Sequence, residues 1–148
     1  MPTAASPTVE EDEIRTRIDG LARALRAKDL DALMAYYAAD TVVFDLRPPT
    51  QVQSADVYRK NFEAWFASVE GPIDYEIHDL RIEANGDVGF CHSLSHVRST
   101  RTGGDTADYW VRVTSGFLKI KGRWLIAHEH ISMPIDLQTM QAQPNVQS

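Results

Sequence analysis

The chain has 148 residues, 43% of them hydrophobic, which suits one domain with a packed core. Its formal net charge is −6 and it has no run of Lys and Arg, which argues against nucleic-acid binding. The one cysteine, Cys91, excludes an intrachain disulfide and a cysteine-based zinc cluster, and it suits a reducing compartment.

The N-terminal part of the chain predicts a short arm followed by two helices. We expect residues 1–9 to be a flexible arm without the features of a signal peptide. Helical periodicity then begins, and its apolar stripe consists of Ile14, Ile18, Leu21, Ala22 and Leu25. Asp29 can cap a second helix, in which Leu33, Met34 and Tyr37 share one face.

The rest of the chain predicts one strand, one helix and then four strands. Residues 41–46 are β-branched and aromatic, as in a strand, and Ser54 can cap a third helix. After Gly71-Pro72, turn signals at Asn85-Gly86, at 102–104 and at Lys121-Gly122 separate four strand patterns. We expect the domain to occupy 10–133 and residues 134–148 to be a frayed tail.

This element order predicts an α+β fold in which a curved antiparallel or mixed sheet wraps around three helices and encloses a pocket. Three segments carry a family resemblance: YAAD running into VFD at 37–45, WVRVT at 110–114 and GRWLIAHEHIS at 122–132. Over roughly residues 12–133, with boundaries good to a few residues, the sequence resembles the nuclear-transport-factor-2-like superfamily, in particular its SnoaL-like and ketosteroid isomerase branch. The resemblance implies a cone-shaped sheet and a small-molecule pocket.

Strand parity predicts which polar side chains share a face of the sheet. A two-residue turn at Lys121-Gly122 places Arg112 opposite Ile131 and diagonal to Glu129, and a three-residue turn at 102–104 places His92 opposite Thr114. We therefore expect one pocket-lining face that carries Phe90, His92, Leu94, His96, Trp110, Arg112, Thr114, Glu129 and Ile131. An error of one residue in either turn would reverse its half of this assignment.

Two residues are candidates for acid–base chemistry on the basis of the resemblance. Asp45 ends a stretch that looks like the ketosteroid isomerase segment carrying the general-base aspartate, and His92 would act as its partner, as in SnoaL-type cyclases and dehydratases. By the same alignment Leu21 replaces the family's tyrosine, and Thr114 or Ser115 its protonated aspartate, so steroid isomerisation is not expected. The alternatives are a strand-end Asp45 paired with Arg47 or solvent, and a hydrogen-bonded core His92.

The opposite sheet face is predicted to bind a second copy of the chain. It would carry an apolar centre and two histidines, which are Val111, Val113, Phe117, Ile126, His128 and His130. The two histidines invite a metal interpretation, but the face lacks a third histidine or a carboxylate, so we predict no metal site.

These observations support two hypotheses. The first is an enzyme without a cofactor that acts by proton transfer on a small apolar carbonyl compound, as an isomerase, dehydratase or cyclase. Asp45 would be the base, His92 a proton shuttle, and Arg112, held by Glu129, the anchoring group. Tyr58 would join the pocket-lining residues in contacting the ligand.

The second hypothesis is a non-catalytic ligand-binding or dimerisation module. Arg112 and Glu129 would then form a structural ion pair. In either case no apolar run reaches the roughly 20 residues that span a bilayer, and we expect a cytoplasmic protein.

Overall fold

The helices and long strands occur in the order that the sequence predicts. The structure is a computed structural model and describes residues 6–145. Its helices are α1 (Val9–Arg26), α2 (Leu30–Met34) and α3 (Ala55–Ala67), and its strands are β1 (Tyr37–Phe44), β2 (Val52–Gln53), β3 (Val69–Asn85), β4 (Val88–Arg101), β5 (Thr106–Ile120), β6 (Arg123–Ser132), β7 (Ile135–Asp136) and β8 (Gln141–Ala142). The α+β class is confirmed.

Each helix begins at a residue whose side-chain oxygen accepts a hydrogen bond from a backbone N–H of the first turn. Thr8 caps α1, Asp29 caps α2 and Ser54 caps α3. The predicted caps at Asp29 and Ser54 are therefore confirmed. The expectation that Tyr37 belongs to the second helix is wrong, because α2 ends at Met34 and Tyr37 is the first residue of β1.

The sheet has six strands in the order β2-β1-β6-β5-β4-β3. Neighbouring strands are antiparallel except for β1 and β6, which are parallel. The sheet is therefore mixed, and it curves around the helices without closing into a barrel. α1 packs on β3 and α3 on β1. The core between the two layers includes Ile14, Leu33, Val43, Ile73 and Ile126, which are at most 2% exposed.

Both turns used for the parity argument have the predicted register. Lys121 and Gly122 have positive φ values of 51° and 81°, and Ile120 pairs with Arg123. His92 pairs with Thr114 across β4 and β5.

A β-bulge in β6 changes the register further along. Phe117 pairs with Ile126, but the next pair is Gly116 with His128, so Ala127 has no partner. Every pair beyond the bulge is displaced by one residue from the predicted register. Arg112 accordingly pairs with Ser132 instead of Ile131.

The segment where we expected a frayed tail contains a small hairpin. β7 and β8 pair antiparallel, and the Trp110 N–H donates a hydrogen bond to the Pro144 carbonyl at 2.8 Å. Residues 1–5 of the predicted arm and 146–148 of the predicted tail lie outside the described residues, and α1 begins at Val9. Within 6–145, the helices are too short or too polar to cross a membrane.

Candidate functional site

A cavity of about 130 Å³ lies between the helices and the concave face of the sheet. An engineered cavity of about 150 Å³ holds one benzene molecule, so a space of this volume matches a single six-membered ring. Its lining is mainly apolar and aromatic and consists of Leu21, Leu25, Tyr37, Asp45, Leu46, Arg47, Tyr58, Asn61, Phe62, Trp65, Tyr75, Val97, Tyr109, Val111, Val113, Glu129 and Ile131.

Glu129 is the buried carboxyl group of this cavity, with 5% of its surface exposed. The hydroxyls of Tyr37 and Tyr58 donate hydrogen bonds to its Oε1 at 2.9 and 3.1 Å, and the Ser115 hydroxyl donates to Oε2 at 3.1 Å. These donors come from β1, α3 and β5, so three elements hold one side chain of β6. The two tyrosine rings pack edge to face at 5.3 Å, which fixes their hydroxyls side by side.

Burial controls the acid–base behaviour of this cluster. Removal from water raises the pKa of Glu129, and the three hydrogen bonds oppose this effect without cancelling it. The charge of Asp45 raises the pKa of Glu129 further. Burial and the neighbouring Glu129 also raise the pKa values of Tyr37 and Tyr58 well above the ordinary value, so both tyrosines remain hydrogen-bond donors. The cluster can therefore hold and donate protons.

Asp45 lies half-buried in the same lining, just after the end of β1. The Leu46 N–H donates a hydrogen bond to its Oδ1 at 2.8 Å, and the Asn61 amide donates to its Oδ2 at 3.2 Å. These two bonds orient the carboxylate without neutralising it. The cavity thus has one solvent-accessible carboxylate and one buried carboxyl group, in different environments.

Of the site residues predicted from the sequence, four line the cavity: Asp45, Tyr58, Glu129 and Ile131. The others lie on the opposite, outer face of the sheet, away from the cavity: Phe90, His92, Leu94, His96, Trp110, Arg112 and Thr114. The expectation that Arg112 and Glu129 share a face is wrong. The bulge at Ala127 lets both Ile126 and Glu129 face the helices, whereas Arg112 is exposed and donates a hydrogen bond to Ser132.

The predicted subunit contact is wrong for another reason, because the apolar alternate residues of β5 pack against the helices whatever the register of β6. Four of its apolar residues, Val111, Val113, Phe117 and Ile126, face the helices instead of forming an outer surface. His128 and His130 do lie on the outer face, where their rings contact Phe44. They share that face with His92, since His92 and His130 both pair with Thr114, and the expectation of opposite faces is wrong.

Comparison with known proteins agrees with this geometry. The sequence profile of the SnoaL-like domain matches residues 14–136. The chain belongs to the SnoaL-like domain family. An NTF2-like protein of unknown function from Pseudomonas putida is 29% identical to it, with a TM-score of 0.85 over 97% of this chain and 100% of that one.

Two more distant structures share the fold of this SnoaL-like protein. A ketosteroid isomerase-like protein from Erwinia carotovora atroseptica is 20% identical, with a TM-score of 0.73 over 85% of this chain and 97% of that one. The association domain of CaMKII from C. elegans is 14% identical, with a TM-score of 0.68 over 83% and 95% of the two chains. No curated protein matches the sequence.

The sequence patterns do not predict the partners of Glu129 in this SnoaL-like domain. The sequence places Tyr37 on a helix face, and regular alternation from Thr114 places Ser115 on the predicted outer face, so neither is connected there with the carboxyl group. The pairing of β4 with β5 offered one signal, because it places Cys91 opposite Ser115 on the face that carries the buried residues of β4. Among residues 6–145, no group of three or more His, Cys, Asp or Glu side chains could hold a metal ion.

Proposed function

We propose that this SnoaL-like protein is an enzyme that moves a proton on a small, largely apolar carbonyl compound, using its own side chains as acid and base. Isomerisation, dehydration and cyclisation are the reactions that such a step serves. The observation that carries the proposal is the buried Glu129 carboxyl group, which holds two tyrosine hydroxyls beside an apolar cavity that Asp45 also lines.

The two carboxyl groups take different roles because their environments differ. Asp45 is half-buried and oriented by Leu46 and Asn61, which suits a general base. Glu129 is fully desolvated, and its raised pKa suits a proton donor. Pairs of titratable groups in unequal environments are the usual basis for acid and base assignments.

The proton transfer would proceed in two steps. Asp45 takes a proton from the carbon next to the substrate carbonyl, and the electron pair of that C–H bond forms a C=C bond as the π pair of the C=O bond moves to the carbonyl oxygen. Protonated Glu129 donates its proton to one of the tyrosine hydroxyls, which frees the single proton of that hydroxyl for a hydrogen bond to the negative oxygen. As the C=O bond reforms, protonated Asp45 returns the proton either to the far carbon of a conjugated C=C bond, which completes an isomerisation, or to a β-hydroxyl whose C–O bond breaks, so that water leaves.

This arrangement is a different solution from the steroid isomerase pattern in the sequence alignment. Leu21 occupies the place of the family's tyrosine and lines the cavity as an apolar residue. When Glu129 is protonated, Tyr37 or Tyr58 can supply a comparable donor from another position, so the alignment alone underestimates the site. The cavity volume supports a substrate with one ring and does not support a four-ring steroid.

Hydrogen–deuterium exchange next to a carbonyl tests the proposal without knowledge of the natural substrate. Methylacetophenone and acetylbenzoate, each as meta and para isomers, are incubated in D₂O with the protein and followed by proton NMR. We expect the protein to accelerate exchange at the acetyl methyl group above the buffer rate. Asp45→Asn should reduce the acceleration about 100-fold or more, and Glu129→Gln should reduce it as well.

The matched control is Asp40→Asn, which removes an exposed carboxylate of β1 outside the cavity lining and should leave exchange unchanged. If the wild-type protein does not accelerate exchange of any of the four probes, the proposed activity is contradicted. An equal loss in the Asp40 and Asp45 variants would contradict the role of Asp45.

A second candidate function is assembly, and we propose that the outer sheet face binds a second copy of the chain. Four large apolar side chains of β4 and β5 are exposed on this face, from 38% to 60%: Val88, Phe90, Leu118 and Ile120. They take the place of the four apolar residues that the sequence predicts for this contact, which face the helices in the structure. Exposed apolar groups side by side on one face are typical of a subunit contact.

A further inference from the structure

Arg47 is the one cation of the cavity lining within residues 6–145, and the only other charged lining residues are Asp45 and Glu129. It follows β1 by three residues and is exposed, so it lies where the cavity opens to solvent. The sequence allows an ion pair between Asp45 and Arg47, but no ion pair joins these two side chains among the described residues. The Asp45 oxygens accept hydrogen bonds from Leu46 and Asn61 instead.

The Arg47 guanidinium therefore has free donors. In the part of the chain that the structure describes, this group makes neither a salt bridge nor a hydrogen bond to protein, although other arginines such as Arg59 and Arg98 do. A guanidinium presents five N–H donors in a planar fork that fits a carboxylate. The mouth of the cavity thus has an unused group of the type that binds anions.

Tyr109 supplies a second donor to the same region from β5. Its ring lines the cavity and is half-buried, and its hydroxyl has no hydrogen bond within residues 6–145. Burial raises the pKa of Tyr109, whereas the charges of Arg47 and Arg101 act to lower it, which indicates that both guanidinium groups are within electrostatic reach of the phenol. Two donors from two elements therefore flank the cavity opening.

The two ends of the cavity differ in the chemistry that they can satisfy. The apolar interior and the Glu129 cluster suit a ring and a carbonyl oxygen, as described above. A neutral ligand of this kind would leave Arg47 and Tyr109 to solvent. A ligand with an anionic arm would use both, and a hydrogen bond to a charged partner contributes more than one between neutral groups.

We propose that the ligand of this site is a cyclic or aryl carboxylic acid, whose carboxylate is bound by Arg47 and Tyr109 while its ring fills the apolar interior. We call the Arg47 and Tyr109 pair the carboxylate clamp. It rests on the proposed function only for the position of the substrate carbonyl group at Glu129. It makes Arg47 a specificity-determining residue, with no part in the proton transfer.

Isothermal titration calorimetry with matched probes tests the clamp. Meta and para acetylbenzoate carry the carboxylate, and meta and para methylacetophenone are their neutral counterparts. We expect the better acetylbenzoate isomer to bind about tenfold more tightly than its neutral counterpart at low ionic strength. Added salt should reduce this preference, because the mouth is exposed to solvent.

Variants at the cavity opening assign the preference to named groups. Arg47→Gln should remove the preference for acetylbenzoate and change methylacetophenone binding less than twofold, and Arg47→Lys should restore part of it. Tyr109→Phe should weaken acetylbenzoate binding several-fold. The control is Arg81→Gln, which removes an exposed charge of β3 outside the lining and should keep the preference.

Three results would overturn the clamp: equal affinities of the wild-type protein for both members of each pair, no binding of acetylbenzoate at millimolar concentration, or a preference that survives Arg47→Gln. The exchange experiment separates this proposal from the proposed activity. A carboxylate preference without accelerated exchange supports the clamp and contradicts the enzyme, whereas accelerated exchange without a preference supports the enzyme and contradicts the clamp.

Discussion

At the scale of single residues, the burial of Glu129 costs hydration free energy and gives the site a carboxyl group with a raised pKa. A carboxyl group that is 5% exposed loses its hydration, and three hydroxyl donors replace only part of it. The protein therefore holds this group with a raised pKa. An unfolded chain has the ordinary value, so the two states bind different numbers of protons over an interval of pH.

This difference predicts how stability depends on pH. Since the folded pKa is the higher one, the unfolded chain releases the Glu129 proton first, and stability falls as pH rises from the unfolded toward the folded pKa. Glu129→Gln keeps an acceptor for the tyrosines but cannot titrate. Within that interval the wild type should lose stability relative to this variant by up to about 1.4 kcal/mol per pH unit.

Urea unfolding of both proteins between about pH 4 and pH 8 measures the effect. Glu70→Gln, which removes an exposed carboxylate of β3, serves as the control substitution. A stability difference between the wild type and Glu129→Gln that does not change with pH would show that Glu129 is not held with a raised pKa.

At the scale of elements, one unpaired residue determines which side chains reach the cavity. Without the bulge at Ala127, regular alternation from Ile126 would turn Glu129 to the outer face, away from Tyr37 and Tyr58. The packing of α1 on the sheet also depends on one residue, because Ile14 packs directly against the backbone of Gly89 in β4.

The Gly89 contact gives a prediction about stability. A Cβ at Gly89 would lie 2.7 Å from Ile14 Cδ1 and 3.0 Å from the Glu83 carbonyl oxygen. Gly89→Ala should therefore destabilise the protein by about 1–3 kcal/mol, as overpacking does. Gly116→Ala is the matched control, because its nearest contact would be 3.8 Å, and it should be neutral or slightly stabilising. Urea unfolding measures both, and equal effects would refute the packing argument.

At the scale of the whole molecule, the helices cover only one side of the sheet. The outer side carries exposed apolar groups at one end, and at the other a cluster in which the His96 ring stacks on Trp110 at 4.4 Å and contacts Asp108 at 2.6 Å. An uncovered face of this composition is the basis for the proposed assembly of two copies.

Sedimentation velocity over a range of protein concentrations tests the assembly. We expect the wild type to sediment as a dimer and the double variant Phe90→Lys, Leu118→Lys as a folded monomer, because both side chains lie on the outer face. Val57→Lys changes an apolar residue of α3 that is 45% exposed, and it should remain dimeric. A wild-type protein that is monomeric at every concentration would exclude the proposed contact.

The sequence by itself determined the helix caps, the tight turn at Lys121-Gly122, the register at both turns and the α+β class. These depend on interactions between residues that are close in the chain, and each has a characteristic residue pattern. The family resemblance also identified Asp45 as a candidate site residue.

Only the tertiary structure decided that the face of β5 with Val111 and Val113 is the inner one, and that Glu129 lies on the same face. Side chains alternate with a period of two, so one unpaired residue inverts every later assignment, and this bulge sits at an alanine that has no special sequence signal. The partners of Glu129 lie 14, 71 and 92 residues away in the chain, and local patterns carry no information about such contacts. The physical reason is that the site is formed by packing between elements, whereas the sequence pattern describes each element alone.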